Sequence, residues 1–257
     1  MAAPKVEPKI YTAIVLDFET GGLDCTDSAC TQIALQAVRL DTWQVLERYV
    51  SYIRPYSKQE LGGAPKRKVL KTKREIEQQE GETLMKYEPA ALTYSGITMN
   101  MLGTQGKSLK EVAADVAEFT RRNTLSKGAQ CKPILIGQNI MFDIGFLQQL
   151  FAYAGLTKEL EKIYAGKTDF YGNFQPHFLD TIDLGRLAFA HDPAMASYKL
   201  EILSERFGIE LDDAHDAQAD VTATLNVAAV CSGRLRSNGN EEIAIHKTEK
   251  TRTHFKI

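Results

Sequence analysis

The 257-residue chain is long enough for one large domain or two small ones, and its 44% apolar and 25% charged residues are typical of a globular protein. Its formal charge of −2 does not by itself indicate a protein that binds nucleic acid. The absence of an eighteen-residue apolar run or an apolar leader argues against a membrane span and secretion, and four cysteines without paired zinc spacing favour free thiols in a cytoplasmic protein.

The first part of the chain predicts three strands. Residues 10–20 form an apolar, β-branched run that ends in acidic residues, which is typical of a buried strand. Residues 30–41 and 44–55 alternate between apolar and polar side chains, and the short turns between the three segments favour an antiparallel meander. Residues 57–88 lose this pattern and are rich in Lys, Glu, Gln and Gly, so we interpret them as a charged insertion.

Helices and short strands alternate after the insertion. Residues 108–123 have apolar residues at helical spacing behind a capping box formed by Ser108 and Glu111. The remaining predicted elements are a short buried strand at 132–139, a helix at 141–155, a strand leading into a helix at 177–189, a helix at 197–208 and a last helix from about Asp216 to Cys231. A meander followed by alternating helices and strands predicts an α/β layered domain with a mixed central sheet.

The predicted elements divide the chain into a domain and two ends. We expect the domain at 10–232, with the insertion at 57–88 inside it. An N-terminal extension at 1–9 precedes the domain, and a weakly patterned C-terminal tail at 233–257 follows it.

Acidic residues occupy positions where core residues are expected. Asp17 and Glu19 lie two apart on the first strand, so both project from the same face. Burying two carboxylates there costs several kcal/mol unless a positive charge compensates them. An Arg or Lys partner and a bound metal ion both satisfy that requirement, and this stretch alone does not decide between them.

Two more acids lie on predicted helices. Asp143 is in the first turn of its helix, where an acid can simply complement the helix dipole. Asp220 lies on the inward stripe of the last helix, in line with Thr224 and Val227. Four acids from three elements fit hard divalent ions such as Mg²⁺, which prefer oxygen ligands. Two such ions roughly 3.5–4 Å apart can stabilise the attacking and leaving oxygens of a phosphoryl displacement.

Three sequence segments resemble a known family. "DFETGGLD", "GQNIMFDIGFL" and "YKLEILSERFGIELDDAHDAQADVTAT" are similar, in order and spacing, to the three exonuclease motifs of the DEDDh family. That superfamily includes the proofreading subunit of bacterial replicative polymerase, ribonuclease T and oligoribonuclease. The resemblance covers residues 10–232 apart from the insertion. It implies a ribonuclease H-like three-layer α/β fold, with a mixed five-stranded sheet of three antiparallel and then two parallel strands flanked by helices.

The resemblance also implies roles for individual residues. The positions that match the family's metal ligands are Asp17, Glu19, Asp143 and Asp220, and His215 matches the general base. The positions that match contacts to the terminal nucleoside or the 3′ end of the substrate are Thr20, Leu23, Asn139 and Phe142. Two positions depart from the family pattern: Gly21 replaces a common threonine, and Gln138 replaces a common histidine.

The spacing of His215 and Asp220 suggests different tasks for the two residues. Residues five apart on a helix differ by about 140° around its axis. We therefore expect Asp220 to hold metal from the helix, and His215 to lie on the entering loop and act on water without coordinating metal.

The implied reaction is metal-dependent hydrolysis of the terminal phosphodiester at a 3′ end, which releases nucleoside 5′-monophosphates. Two Mg²⁺ ions are the implied cofactors, and Mn²⁺ is an expected substitute. Single-stranded DNA and unpaired 3′ ends are the first expected substrates, which would suit DNA repair. The alternative functions are trimming of RNA 3′ ends, a proofreading or docking subunit that acts with a polymerase, and a binding module without catalysis. A polymerase and a second copy of the chain in a homodimer are the possible protein partners.

A basic run within the insertion bears on substrate binding. Residues 66–74 contain six Lys or Arg and no acid, whereas residues 75–82 contain four Glu. The basic run could extend a phosphate-contact surface, or it could be a solvated loop.

Overall fold

The computed structural model describes residues 8–59, 84–209 and 217–237. Three long strands form the antiparallel half of its central sheet: β1 (Thr12–Thr20), β2 (Cys30–Arg39) and β3 (Val45–Tyr52). β1 and β2 are buried along most of their length, and in β2 the burial includes the polar residues Thr31, Gln32 and Gln36. The predicted meander is confirmed.

Two further strands extend the sheet in parallel. β4 (Ile134–Gly137) pairs with β1. The next two strands, β5 (Gly166–Thr168) and β6 (Phe174–Pro176), form a separate small hairpin. The last strand, β7 (Phe178–Asp180), pairs with β4. The strand order is β3-β2-β1-β4-β7. The predicted mixed five-stranded sheet is therefore confirmed. Because β1, β4 and β7 run in the same direction, their carboxyl ends meet at one edge of the sheet.

Helices cover both faces of the sheet. In chain order they are α1 (Pro89–Ser95), α2 (Met99–Gln105), α3 (Leu109–Arg122), α4 (Met141–Tyr153), α5 (Thr157–Ile163), α6 (Thr181–Ala188), α7 (Leu200–Phe207) and α8 (Ala217–Ser237). The capping box of α3 forms as predicted between Ser108 and Glu111. The sequence patterns did not predict α1, α2 or α5, each of seven residues, or the hairpin of β5 and β6.

The alternation of β1 divides the core into two layers. Ile14 and Leu16 face α3 and α4 and pack in one apolar cluster with residues such as Phe146. Ala13 and Val15 face the other side and pack in a second cluster with α8. α6 and α7 complete that second layer by packing against α8.

The last helix extends further than predicted. α8 continues to Ser237, six residues beyond the expected end at Cys231. Cation–π contacts hold its last turns, because the Arg234 guanidinium lies 5.4 Å from the Phe189 ring centroid and 4.7 Å from that of Phe207. Arg236 also donates to the Asp41 carbonyl at 2.9 Å.

Only the ends of the predicted insertion fall within the described residues. Ser57 and Leu84 form an antiparallel bridge, so the chain leaves and re-enters the fold at neighbouring points. The basic run 66–74 and His215 lie outside the described ranges, as do the residues before 8 and after 237. Within those ranges, every helix is too short or too polar to span a bilayer.

Candidate active site

Three acids meet at the carboxyl edge of the sheet. Because Ala13 and Val15 face α8, the alternation of β1 carries Asp17 and Glu19 to the same side. Asp220 approaches from the first turn of α8. One carboxylate oxygen from each of the three residues lies within 4.8 Å of the others, and all three residues are half-buried.

The fourth acid lies on the opposite side of β1. Asp143 is in the first turn of α4 and is only 3% exposed. Its Oδ1 accepts a hydrogen bond of 3.0 Å from the backbone N–H of Phe18, between Asp17 and Glu19 in sequence. Burial raises the pKa of Asp143 well above its ordinary value, and the nearby charges of Asp17 and Glu19 raise it further. The structure therefore groups three acids and places the fourth beside them.

The cluster has the chemistry of a site for a divalent cation. Three converging carboxylates repel one another, and a cation removes that repulsion while accepting their oxygens as hard ligands. The nearby charges of Asp17 and Glu19 also contribute, after burial, to the raised pKa of Asp143. The donor set therefore fits a metal ion of the Mg²⁺ type.

An open cleft of about 610 Å³ lies over the cluster. Three of the residues predicted to contact substrate line it: Thr20, Leu23 and Phe142. Leu23 is 86% exposed, so its side chain is available to a ligand. The fourth, Asn139, lines a neighbouring pocket of about 360 Å³. Asn139 adopts a φ of 53°, and its N–H donates to the Asp180 carboxylate at 3.1 Å.

The sequence patterns missed one wall of the cleft. Its missed lining residues include Glu88, Tyr94, Lys199 and Glu201. Tyr94 lies on α1, is 64% exposed, and its hydroxyl pKa is raised by partial burial and then by the charges of Glu201, Asp220 and Glu19. A Glu-Pro pair at residues 88–89 marks the start of α1 and was the available signal for this helix.

The structure gives a reason for each departure from the family pattern. A Cβ at Gly21 would lie 2.4 Å from the Lys86 carbonyl oxygen, because the re-entering segment 84–88 crosses directly over it. Gln138 donates from Nε2 to the Tyr198 carbonyl at 2.8 Å, and its Oε1 accepts from the Thr181 hydroxyl. Glycine at the first position and an amide at the second therefore suit this chain's own packing.

A buried glutamine joins the loop that carries Leu23 to α4. Gln149 donates to the backbone carbonyls of Cys25 and Ser28, the latter at 2.9 Å. Its Oε1 accepts from the Tyr56 hydroxyl at 2.6 Å. Because α4 also carries Asp143, Gln149 fixes the loop relative to the acids.

A mixed five-stranded sheet with carboxylates at the end of its central strand defines a ribonuclease H-like domain with a site for a divalent metal. The RNase T family model, described as exonuclease, matches residues 69–228. The chain therefore belongs to this exonuclease family, whose members depend on divalent metal. The predicted membership of an exonuclease family is confirmed.

Three curated relatives indicate the range of the family. The chain is 32% identical to exodeoxyribonuclease I of Haemophilus influenzae over 151 residues, which is 54% of this chain and 28% of that protein. It is 25% identical to ribonuclease T of Shewanella frigidimarina over 91% of this chain and 88% of that protein. It is also 25% identical to the PolC-type DNA polymerase III of Bacillus cereus over 83% of this chain, but spans only 11% of the polymerase.

Solved structures share the fold. A zinc-bound complex of Escherichia coli exonuclease I with single-stranded DNA matches with a TM-score of 0.60 and 23% identity, over 88% of this chain and 41% of that one. A product-bound exonuclease I structure matches with a TM-score of 0.60 and 21% identity, over 88% of this chain and 44% of that one. At these identities the similarity establishes the common fold.

Proposed function

We propose that this protein is a divalent-metal-dependent 3′–5′ exonuclease that acts on single-stranded DNA or unpaired 3′ ends and releases nucleoside 5′-monophosphates. The carboxylate cluster at the floor of an open cleft carries the proposal. The relationship to exodeoxyribonuclease I and the single-stranded DNA in the exonuclease I complex support the choice of substrate.

The acids provide the cofactor site in this proposal. Asp17, Glu19 and Asp220 hold metal from the cleft side, and Asp143 completes the ligand set from α4. Two Mg²⁺ ions are the proposed cofactors, with Mn²⁺ as a substitute. When bound, the ions promote ionisation of the attacking water and compensate charge on the departing 3′ oxygen.

His215 is the proposed general base. It accepts a proton from the attacking water, a task that suits histidine because an unperturbed imidazole with a pKa near 6.5 is mostly neutral at pH 7 and above. Thr20, Leu23 and Phe142 contact the terminal nucleoside from the walls of the cleft. Asn139 contacts the strand near its 3′ end, from the neighbouring pocket that receives the nucleotide next to the terminal one.

Trimming of RNA 3′ ends is a second candidate function. The observation that favours it is the match to ribonuclease T, which covers most of both chains. The ribose 2′-hydroxyl is the group by which a protein distinguishes RNA from DNA at a given site.

The direct test uses four end-labelled substrates with Mg²⁺ or Mn²⁺: single-stranded DNA, RNA, paired duplex and duplex with a mismatched 3′ end. We expect single-stranded DNA and the mismatched end to be shortened from the 3′ terminus faster than the paired duplex. Faster shortening of RNA would select the second candidate. A protein that shortens none of the four would refute both.

The general base has its own test. His215→Ala should lower the rate about 10²- to 10⁴-fold. His191→Ala is the matched control, because His191 is exposed and does not line the cleft. Full activity of His215→Ala would show that His215 is not the general base.

A protein partner is a separate hypothesis. The match to a segment of a PolC-type polymerase supports a polymerase partner, and a homodimer is the other hypothesis. Sedimentation of the protein alone, and then with a replicative polymerase, distinguishes the two.

A further inference from the structure

Lys199 lies where the cleft meets the neighbouring pocket. The two cavities share two lining residues, Gln138 and Lys199. The second pocket continues along Asn139, Ser197 and Tyr198. A strand whose terminal phosphodiester reaches the carboxylates therefore has an open path past Lys199 for its next nucleotide.

The charge along this path is uneven. Among the described residues that line the cleft, Lys199 is the single cation, against five acids: Asp17, Glu19, Glu88, Glu201 and Asp220. Bound metal compensates the three clustered acids but leaves Glu88 and Glu201. Among these described residues, Lys199 is therefore the one positive charge that a second phosphate meets in the cleft.

Ion pairing distinguishes Lys199 from the other cation on the path. Arg186 in the second pocket donates to Asp183 at 2.9 Å, and its guanidinium lies 5.9 Å from the Tyr198 ring centroid. Within the part of the chain that the structure describes, no carboxylate lies within 4.0 Å of the Lys199 ammonium. Lys199 can therefore bind an anion without first giving up an ion pair with a described residue.

Gln138 fixes the backbone that presents Lys199. Its amide donates to the carbonyl of Tyr198, the residue immediately before Lys199, at 2.8 Å. Its Oε1 is in turn bound by the hydroxyl of Thr181, which is fully buried at the start of α6. The unusual glutamine thus connects the end of β4 to the position of the lysine.

We propose that Lys199 binds the internucleotide phosphate immediately 5′ of the scissile one, and that Gln138 is the positioning residue that holds Lys199 in place. The inference rests on the proposed function and adds a substrate preference to it: the enzyme favours strands that carry a charged phosphate at this second linkage.

Oligonucleotides with one neutral linkage test the contact. A methylphosphonate replaces the phosphate at the second linkage from the 3′ end of a single-stranded DNA, and a control strand carries it at the sixth linkage. Single-turnover release of the terminal nucleotide is measured for wild type, Lys199→Met and Lys199→Arg, with Lys110→Met on the exposed side of α3 as the matched control.

The expected pattern is a coupling between residue and linkage. Lys199→Met should release the terminal nucleotide from the all-phosphate strand about 10- to 100-fold more slowly, as for loss of a charged hydrogen bond. The neutral second linkage should slow wild type by a similar factor and slow Lys199→Met little further. Lys199→Arg should retain most of the wild-type rate, and Gln138→Leu should lose part of the coupling. In Lys199→Met, the slope of the logarithm of the binding constant against the logarithm of the salt concentration should also become less steep by about 0.7.

The other outcomes are distinct. Additive effects of the variant and the neutral linkage, or a wild-type rate in Lys199→Met, would overturn the contact. Equal sensitivity of wild type to the second and sixth linkages would also overturn it. If wild type releases nothing from the all-phosphate strand under conditions where it is folded, the proposed function itself fails.

Discussion

Gly21 provides a quantitative test of how the cleft is built. In Gly21→Ala the new Cβ would lie 2.4 Å from the Lys86 carbonyl oxygen, 3.1 Å from the Tyr87 Cα and 3.3 Å from the Lys86 carbonyl carbon. All three are backbone atoms, so no side chain can rotate to relieve the contact. An ordinary C···O contact is about 3.3 Å or more, so the segment must move by about 1 Å.

That movement has a cost in stability and in activity. The segment is fixed by the Glu88 N–H, which donates to the Gly21 carbonyl at 2.7 Å, and it leads directly into α1. We expect Gly21→Ala to lower the free energy of unfolding by about 1–3 kcal/mol, as for other overpacked sites. Because Glu88 and Tyr94 line the cleft, displacement of about 1 Å should also lower kcat/KM about 10- to 100-fold.

Urea unfolding followed by circular dichroism measures the first effect. The matched control is Gly103→Ala in α2, where a new Cβ meets nothing within 4 Å. Alanine is the better helix former, so the control should raise the free energy of unfolding by about 0.5–1 kcal/mol. If Gly21→Ala unfolds at or above the wild-type urea midpoint, the close approach of segment 84–88 is not a constraint and the reasoning is wrong.

Three further predictions concern the acids and their support. Burial and neighbouring charges raise the folded-state pKa of Asp143. In protein freed of metal by a chelator, its contribution to the free energy of unfolding is therefore present below the unfolded pKa of about 3.9 and is lost as pH rises through the higher folded-state pKa. Asp143→Asn should therefore stabilise chelated protein more at pH 8 than at pH 4, and an equal difference at both would contradict this. Mg²⁺ at 100 times its Kd should raise the free energy of unfolding of wild type by about 2.7 kcal/mol, which a thermal melt detects as a higher Tm. Asp17→Asn should lose most of this rise in Tm. Gln149→Leu should lower the free energy of unfolding by about 2–4 kcal/mol, because it leaves buried backbone and hydroxyl groups unpaired, and Gln148→Leu, which loses one bond, should cost less.

Most of the sheet was predictable from local patterns because β1, β2 and β3 are long and β4 is mostly buried. β1 contains the apolar run 13–16, β2 mixes apolar and polar residues over ten positions, and the capping box before α3 marks a helix start independently of tertiary context. The short elements were not predictable in the same way. α1, α2 and α5 have seven residues each, too few for a helical period to be distinguished from a polar loop.

The acids were predictable and the cleft wall was not, for a physical reason. Asp17 and Glu19 contradict the burial of their own strand, so the sequence alone marks them as unusual. Tyr94 and Lys199 contradict nothing locally, because exposed aromatic and basic side chains are common on helices and loops. They line the cleft only because α1 and the start of α7 converge there, which is a tertiary property.

The bridge between Ser57 and Leu84 has an evolutionary consequence. Because the two ends of the intervening segment are joined at the domain surface, its length can change at little thermodynamic cost, about 0.6 kcal/mol for each doubling of a flexible loop. Additions at this position enter and leave without disturbing the strand that carries Asp17 and Glu19. Sequence can therefore be added between these two residues, in evolution or by engineering, while the carboxylate cluster is retained.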